Sequence, residues 1–156
     1  MNIPKNWKRL SDRKDIDLGE YLKNWIEENP EHKIYIGCDS HNVPSAGSTT
    51  FATVIVLHYN QGGGHVLYSR ETVPLVVDRY DRLWREVEFS VATATHLMDL
   101  GFSKPDHIDI DLNPDPKYQS NSVLRAAVGL IESIGISARY KTKSPWAISI
   151  ADSICK

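Results

Sequence analysis

The sequence predicts an α/β fold in which a mixed five-stranded sheet carries helices on both faces, with an additional helix at the N-terminus. Two observations support this prediction. Three β-prone runs follow one another with only short turns between them, which is typical of an antiparallel meander. Two further strand-like runs alternate with helix-like segments, and strands that are separated by helices usually run parallel. After the first helix, the predicted order is therefore β-β-β-α-β-α-β-α.

The first predicted helix covers about Leu18 to Glu28. Apolar residues recur there at helical spacing, and Asp17 suits the N-cap position. A chain of 156 residues fits one domain, and no repeat or linker divides it. We therefore expect a single domain, with residues 1–33 forming an N-terminal segment and helix packed on a main body of residues 34–156.

The meander is predicted from β-branched and aromatic runs at Ile34–Asp39, Thr50–Leu57 and His65–Val73. A Pro/Gly/Ser-rich turn region is expected at His41–Ser48. The segment Asn60–Gly64 contains three consecutive glycines and is predicted to be a hairpin turn, because such turns need positive φ angles.

The second half of the chain alternates helices and strands. A long amphipathic helix is expected first, and Gly101 is expected to end it. The last predicted helix begins at Ser144-Pro145, residues that favour the N-cap and N1 positions. Before it, the predicted elements are the long amphipathic helix at Tyr80–Leu100, a strand at Ile108–Leu112, a helix at Ser122–Ser133 and a strand at Ile136–Thr142.

Two of the predicted strands end on a carboxylate. Asp39 ends the first strand and Asp111 ends the fourth. These strands are expected to be parallel neighbours, so that both side chains reach the same edge of the sheet. Asp109 shares a strand face with Asp111 because strand side chains alternate. We select Asp111 because it lies nearer the end of the strand, with Asp109 as the reserve.

The helices supply the other acids. Glu86 lies beside the sheet-facing stripe and near the start of the long helix, where the helix dipole favours a carboxylate. It is therefore preferred to Glu88, which remains an alternative. Asp152 in the last helix is flanked by small residues that permit close packing on the sheet.

Grouped carboxylates repel one another unless cations lie between them. A like-charged pair about 4 Å apart costs on the order of 4 kcal/mol at an effective dielectric near 20. Oxygen-rich sites suit Mg²⁺ or Mn²⁺. Two such ions, spaced about 3.5–4 Å apart, support phosphodiester hydrolysis by water without a protein nucleophile. We expect Asp39 to bridge the two ions, and Glu86, Asp111 and Asp152 to complete the site.

The positions of the acids along this order resemble the ribonuclease H superfamily. More closely, Ile36-Gly37-Cys38-Asp39-Ser40, the segment from Arg85 to Ser90, and Asp111-Leu112-Asn113-Pro114 resemble the bacterial YkuK group of ribonuclease H-like proteins. The resemblance covers roughly Ile34 to the C-terminus. It implies a nuclease-type fold with a two-metal acidic site, whose implied ligands are Asp39, Glu86, Asp111 and Asp152.

The first strand departs from better-known members of that superfamily. Asp39-Ser40-His41 has neither the Asp-x-Glu of proofreading exonucleases nor the Asp-Gly-Ser usual in classical ribonuclease H. Gly37-Cys38-Asp39 is closer to the Gly-x-Asp of Holliday-junction resolvases. These motifs leave RNA, an RNA–DNA hybrid and structured DNA open as substrates.

Basic residues near the acids are candidate contacts for a nucleic-acid backbone. The formal net charge of −2 gives no bulk attraction to nucleic acid, so binding would depend on a local patch or on metal. In the fifth strand, lysines also suit an edge strand because they discourage aggregation. The candidates are Lys117, Arg139, Lys141 and Lys143.

The function predicted from sequence is a metal-dependent nuclease. The alternative is a non-catalytic module that binds nucleic acid or protein on the same scaffold. Cys38 and Cys155 have no spacing typical of a zinc site or a disulfide framework, and no segment has the apolar length of a signal peptide or a membrane span. We therefore expect a cytoplasmic protein without a membrane partner, of undetermined oligomeric state.

Overall fold

The structure is a computed structural model that describes residues 3–60, 62–112, 121–140 and 146–156. From α1 onward its helices and strands follow the predicted order, and the mixed α/β class is confirmed. The strands are β1 (Lys8–Arg9), β2 (His32–Val43), β3 (Ser48–Tyr59), β4 (Gly64–Pro74), β5 (His107–Ile110) and β6 (Ser137–Tyr140). The helices are α1 (Leu18–Glu28), α2 (Arg79–Asp99), α3 (Asn121–Ser133) and α4 (Trp146–Cys155).

The strands form one sheet in the order β1-β4-β3-β2-β5-β6. As predicted, β2, β3 and β4 pair antiparallel, whereas β5 is parallel to β2 and β6 is parallel to β5. The sixth strand is β1, which pairs antiparallel with β4. The sequence did not predict it, because two residues are too few to show the alternation that marks a strand.

The expected turn at His41–Ser48 is partly wrong. β2 continues to Val43, which pairs with Ser48, so the turn narrows to a 3₁₀ segment at Pro44–Ala46 and a left-handed Gly47. Asp39 therefore lies inside a long strand, opposite Ala52 of β3, and not at its end. The strand that ends near Asp39 is its parallel neighbour β5.

Helices cover both faces of the sheet. One face packs against α1, α2 and α3 around a core that includes Leu22, Ile36, Val91 and Ile131. The other face packs against α4, whose Ala147 and Ala151 join an apolar cluster with strand residues such as Val54.

Asp17 caps α1 by accepting a hydrogen bond from the Glu20 backbone N–H at 2.9 Å. Gly101, predicted to end α2, has a φ of 95° just beyond it, as a helix C-terminal glycine requires.

Gly37 determines how closely α4 approaches the sheet. A Cβ atom built at this position would lie 2.8 Å from Ala147 Cβ and 3.1 Å from the Ala147 carbonyl carbon. Only glycine leaves room for the helix at that separation. A Cβ at Gly37 would point to the same strand face as the Asp39 side chain, so the contact that brings α4 onto β2 also brings its later turns towards Asp39.

Candidate metal centre

The candidate site lies at the edge of the sheet where β5 ends. The last paired position of β2 and β5 is Gly37 with Asp109, and continuing this register by two residues places Asp111 opposite Asp39. Residues paired in a parallel ladder project to the same face. The parallel pairing predicted from the sequence is thus the feature that brings these two strands' acids to one edge.

Asp39 is buried beside other acids. Its residue is only 8% exposed, and its Oδ1 accepts a hydrogen bond from the Ser40 backbone N–H at 2.9 Å. The pKa of Asp39 is raised from 3.8 to about 7, mainly by burial and also by the nearby Asp111 and Asp152 carboxylates, while the Ser40 bond acts in the opposite direction. The Asp39 carboxyl is therefore held in a place that disfavours its own charge.

Asp152 reaches Asp39 from α4. The interaction between the two carboxyl groups contributes to raising the pKa of Asp39 and to lowering that of Asp152. The largest cause of the lowered pKa of Asp152 is its bond to Lys156 Nζ at 3.1 Å. The Asp152 side chain is 48% exposed, so Asp152 forms the solvent side of the site.

Glu86 reaches the site from the opposite face, on α2. It is 6% exposed and accepts a hydrogen bond from the Ser40 hydroxyl. Burial raises its pKa well above the ordinary value, and the charges of Asp39 and Asp111 raise it further. Glu88 is half-buried and lies about 200° further around the helix, so it projects away from Glu86.

Asp109, the reserve candidate, has structural partners. Both of its carboxylate oxygens accept hydrogen bonds from Arg139, at 2.8 and 2.9 Å, and Oδ2 also accepts one from the Ala147 backbone N–H at 2.9 Å. The Arg139 guanidinium lies over the Tyr35 ring, 4.4 Å from its centroid. Both groups are thus engaged within the fold, and the contact of Arg139 with nucleic acid stays a prediction. The other predicted basic contacts, Lys117, Lys141 and Lys143, lie outside the described residues.

Cys155 is a neighbour of the acids that the sequence did not indicate. Its Sγ and one carboxylate oxygen each from Asp39 and Asp152 lie within 4.8 Å of one another. The pKa of the thiol is raised to about 12, mainly by burial and also by the charges of both carboxylates. The available signal was the three-residue spacing of Asp152 and Cys155, which places both on one helix face.

The donor set fits divalent cations. Carboxylates supply the oxygen ligands that Mg²⁺ and Mn²⁺ prefer, and the pKa values of Asp39 and Glu86 are raised first by burial and then by the neighbouring negative charges. Cations placed among these carboxylates would remove that repulsion. Asp39, Glu86, Asp111 and Asp152 remain the predicted ligands.

The metal-free protein is expected to lose stability as the pH rises from about 4 to about 7. Across this window folded Asp39, with a pKa of about 7, keeps a proton that the unfolded chain, with a pKa near 3.8, has released. Because the folded state binds more protons, its stability falls with increasing pH. Urea unfolding in a chelator should show this fall as a pH-dependent difference between wild type and Asp39→Asn. The exposed Asp99→Asn is the control, and parallel wild-type and Asp39→Asn curves would contradict the prediction.

Comparison with known proteins gives one family match. The model of a family described as Ribonuclease H-like matches residues 17–156. Among solved structures, RNase H1 from the halophilic archaeon Halobacterium salinarum NRC-1 is similar, with 17% sequence identity, coverage of 79% of this chain and 98% of that chain, and a TM-score of 0.33. No curated protein sequence matches the chain. Within the described residues, no helix is both long and apolar enough to cross a membrane.

Proposed function

The chain belongs to the Ribonuclease H-like family, the YkuK family, and from this premise we propose that it is a metal-dependent nuclease. The proposed reaction is hydrolysis of phosphodiester bonds in RNA, an RNA–DNA hybrid or structured DNA. The observation that supports it most is the convergence of acids from β2, α2 and α4, and from the residue after β5, on one sheet edge, where Asp39 has a pKa of about 7. A buried group of acids without such a function would only cost stability.

Each acid has a distinct task in this proposal. Asp39 is the central ligand, because Asp111 and Asp152 both act on its carboxyl group. Glu86 is a ligand from the opposite face, and the Ser40 hydroxyl holds its carboxylate in place. When bound, two divalent cations would activate water for attack and stabilise the leaving oxygen. Asp152 is more exposed than Asp39 or Glu86 and so lies where a substrate phosphate would approach.

Cleavage of labelled single-stranded, duplex and hybrid substrates with Mg²⁺ or Mn²⁺ tests the proposal. Wild type is expected to cleave at least one of them, and a chelator is expected to stop the reaction. Binding without any metal-dependent cleavage would overturn the nuclease proposal and favour the non-catalytic binding module.

Glu86→Gln and Glu88→Gln are a matched pair in the same assay. Glu86→Gln is expected to lower the cleavage rate by at least about 10–100-fold, because loss of even an outer-shell group costs a metal site that much. Glu88→Gln is expected to change it little, because that side chain projects from another side of α2. Equal rates for the two variants would remove Glu86 from the predicted site.

A further inference from the structure

The side chains of Asp39, Asp152 and Cys155 make a mixed ligand set of two oxygens and one sulfur. Their three ligating atoms lie within 4.8 Å of one another. Cys155 is 2% exposed, and its thiol donates a hydrogen bond to the Asp152 backbone carbonyl at 3.4 Å. Mg²⁺ prefers oxygen ligands alone, whereas sulfur is a soft ligand that favours zinc and related ions.

We propose that Asp39, Asp152 and Cys155 bind a thiophilic divalent cation, with Zn²⁺ as the expected ion. This inference deepens the proposed function, since it concerns the same sheet edge and rests on it for its biological meaning. Three protein ligands leave one position of a tetrahedral ion open, which is the pattern of catalytic rather than structural zinc sites. The open position is available to water or to a substrate oxygen.

The geometry needs only a small closure. With zinc–sulfur and zinc–oxygen distances of about 2.3 and 2.0 Å, tetrahedral ligand atoms stand about 3.3–3.7 Å apart. The observed separations of up to 4.8 Å are therefore too long by little more than about 1 Å. Asp152 can supply the movement, because its side chain is 48% exposed and its partner Lys156 is 59% exposed. An exposed ion pair of this kind costs little to rearrange.

Cys38 provides an internal comparison. It is as buried as Cys155, but it packs with Phe51, Val76 and Phe89 on the opposite face of the sheet. Among the described residues, the group of possible ligands includes Cys155 and not Cys38. The two thiols thus separate a buried cysteine that only packs from one that also lies beside two carboxylates.

The test is binding of Cd²⁺ and Co²⁺ to the full chain, followed by the ultraviolet sulfur-to-metal charge-transfer absorption. Wild type and Cys38→Ala are expected to develop the band to saturation at one ion per chain. Cys155→Ser is expected to lose it, with a Cd²⁺ affinity more than about tenfold lower. X-ray absorption of the wild-type Zn²⁺ form should show one sulfur at about 2.3 Å from the ion. This measurement does not depend on whether Cys38→Ala folds.

Absence of the band in wild type, or its persistence in Cys155→Ser, would overturn the inference. These readouts are independent of cleavage. A Cys155-dependent band in a protein that cleaves nothing with Mg²⁺ or Mn²⁺ supports the ion site and contradicts only the nuclease proposal. Metal-dependent cleavage without the band would support the nuclease proposal and contradict the ion site.

Discussion

Asp39→Asn is expected to lower metal-dependent cleavage by more than about 100-fold and, at the same time, to stabilise the metal-free protein above pH 7. The amide keeps the shape of the side chain but removes the charge and most of the ligand strength. Loss of even an outer-shell group costs metal sites about 10–100-fold, so loss of the central ligand should cost more. Stability should rise because the buried carboxyl, with its pKa of about 7, no longer has to ionise beside Asp111 and Asp152.

The opposite signs of the two effects make the prediction specific. Substitution of a residue that merely supports the fold would lower the activity and the stability of the protein together. Cleavage rates and urea unfolding of the same preparations measure both quantities, with the exposed Asp99→Asn as the control that should change neither. Undiminished cleavage by Asp39→Asn would exclude the proposed site, even if the protein proved to be a nuclease.

Arg139→Ala is expected to destabilise the protein by about 3–5 kcal/mol, the usual cost of breaking a buried ion pair by removing one partner. The Asp109 side chain is 0% exposed and Arg139 only 17%, and the pair is bidentate at 2.8 and 2.9 Å. Without the guanidinium, the Ala147 N–H would be the one hydrogen-bond partner left to the carboxylate among the residues that the structure describes. The packing of Arg139 on the Tyr35 ring would be lost as well.

Arg85→Ala is the matched control for Arg139→Ala. Arg85 also pairs with an aspartate, Asp81, at 3.0 Å, but both side chains are about half exposed. Such surface pairs contribute about 0–1 kcal/mol. Urea midpoints of the two variants should therefore differ clearly. Comparable losses would mean that the Asp109 carboxylate finds another partner when Arg139 is removed.

The Asp109–Arg139 pair also helps to position α4, which carries Asp152. Because Asp109 accepts the Ala147 N–H, the pair connects β5 and β6 with the first turn of α4. A double variant, Asp109→Asn with Arg139→Ala, removes the unpaired charge and should recover part of the stability that the single variant loses.

Much of the fold could be predicted because it is encoded in local patterns. Alternating β-branched residues indicated β2, β3 and β4, and helical spacing with an acidic N-cap indicated α1. The strand order then followed from the short turns before α2 and the helices after it. The two-residue β1 and the continuation of β2 past Asp39 escaped prediction, since one is too short for periodicity and the other depends on pairing with β3.

The residues of each element indicate which strand or helix carries Asp39, Glu86 and Asp152, whereas Asp111, expected to end a strand, lies one residue beyond β5. Which side chains meet depends on long-range packing. Register between β2 and β5 sets Asp111 opposite Asp39, Arg139 engages Asp109, and the close contact of Gly37 with Ala147 brings α4 onto β2. Cys155 joins the site for the same reason. It lies 116 positions from Asp39 in the chain, and a local pattern carries no information about contacts made by strand register and helix docking.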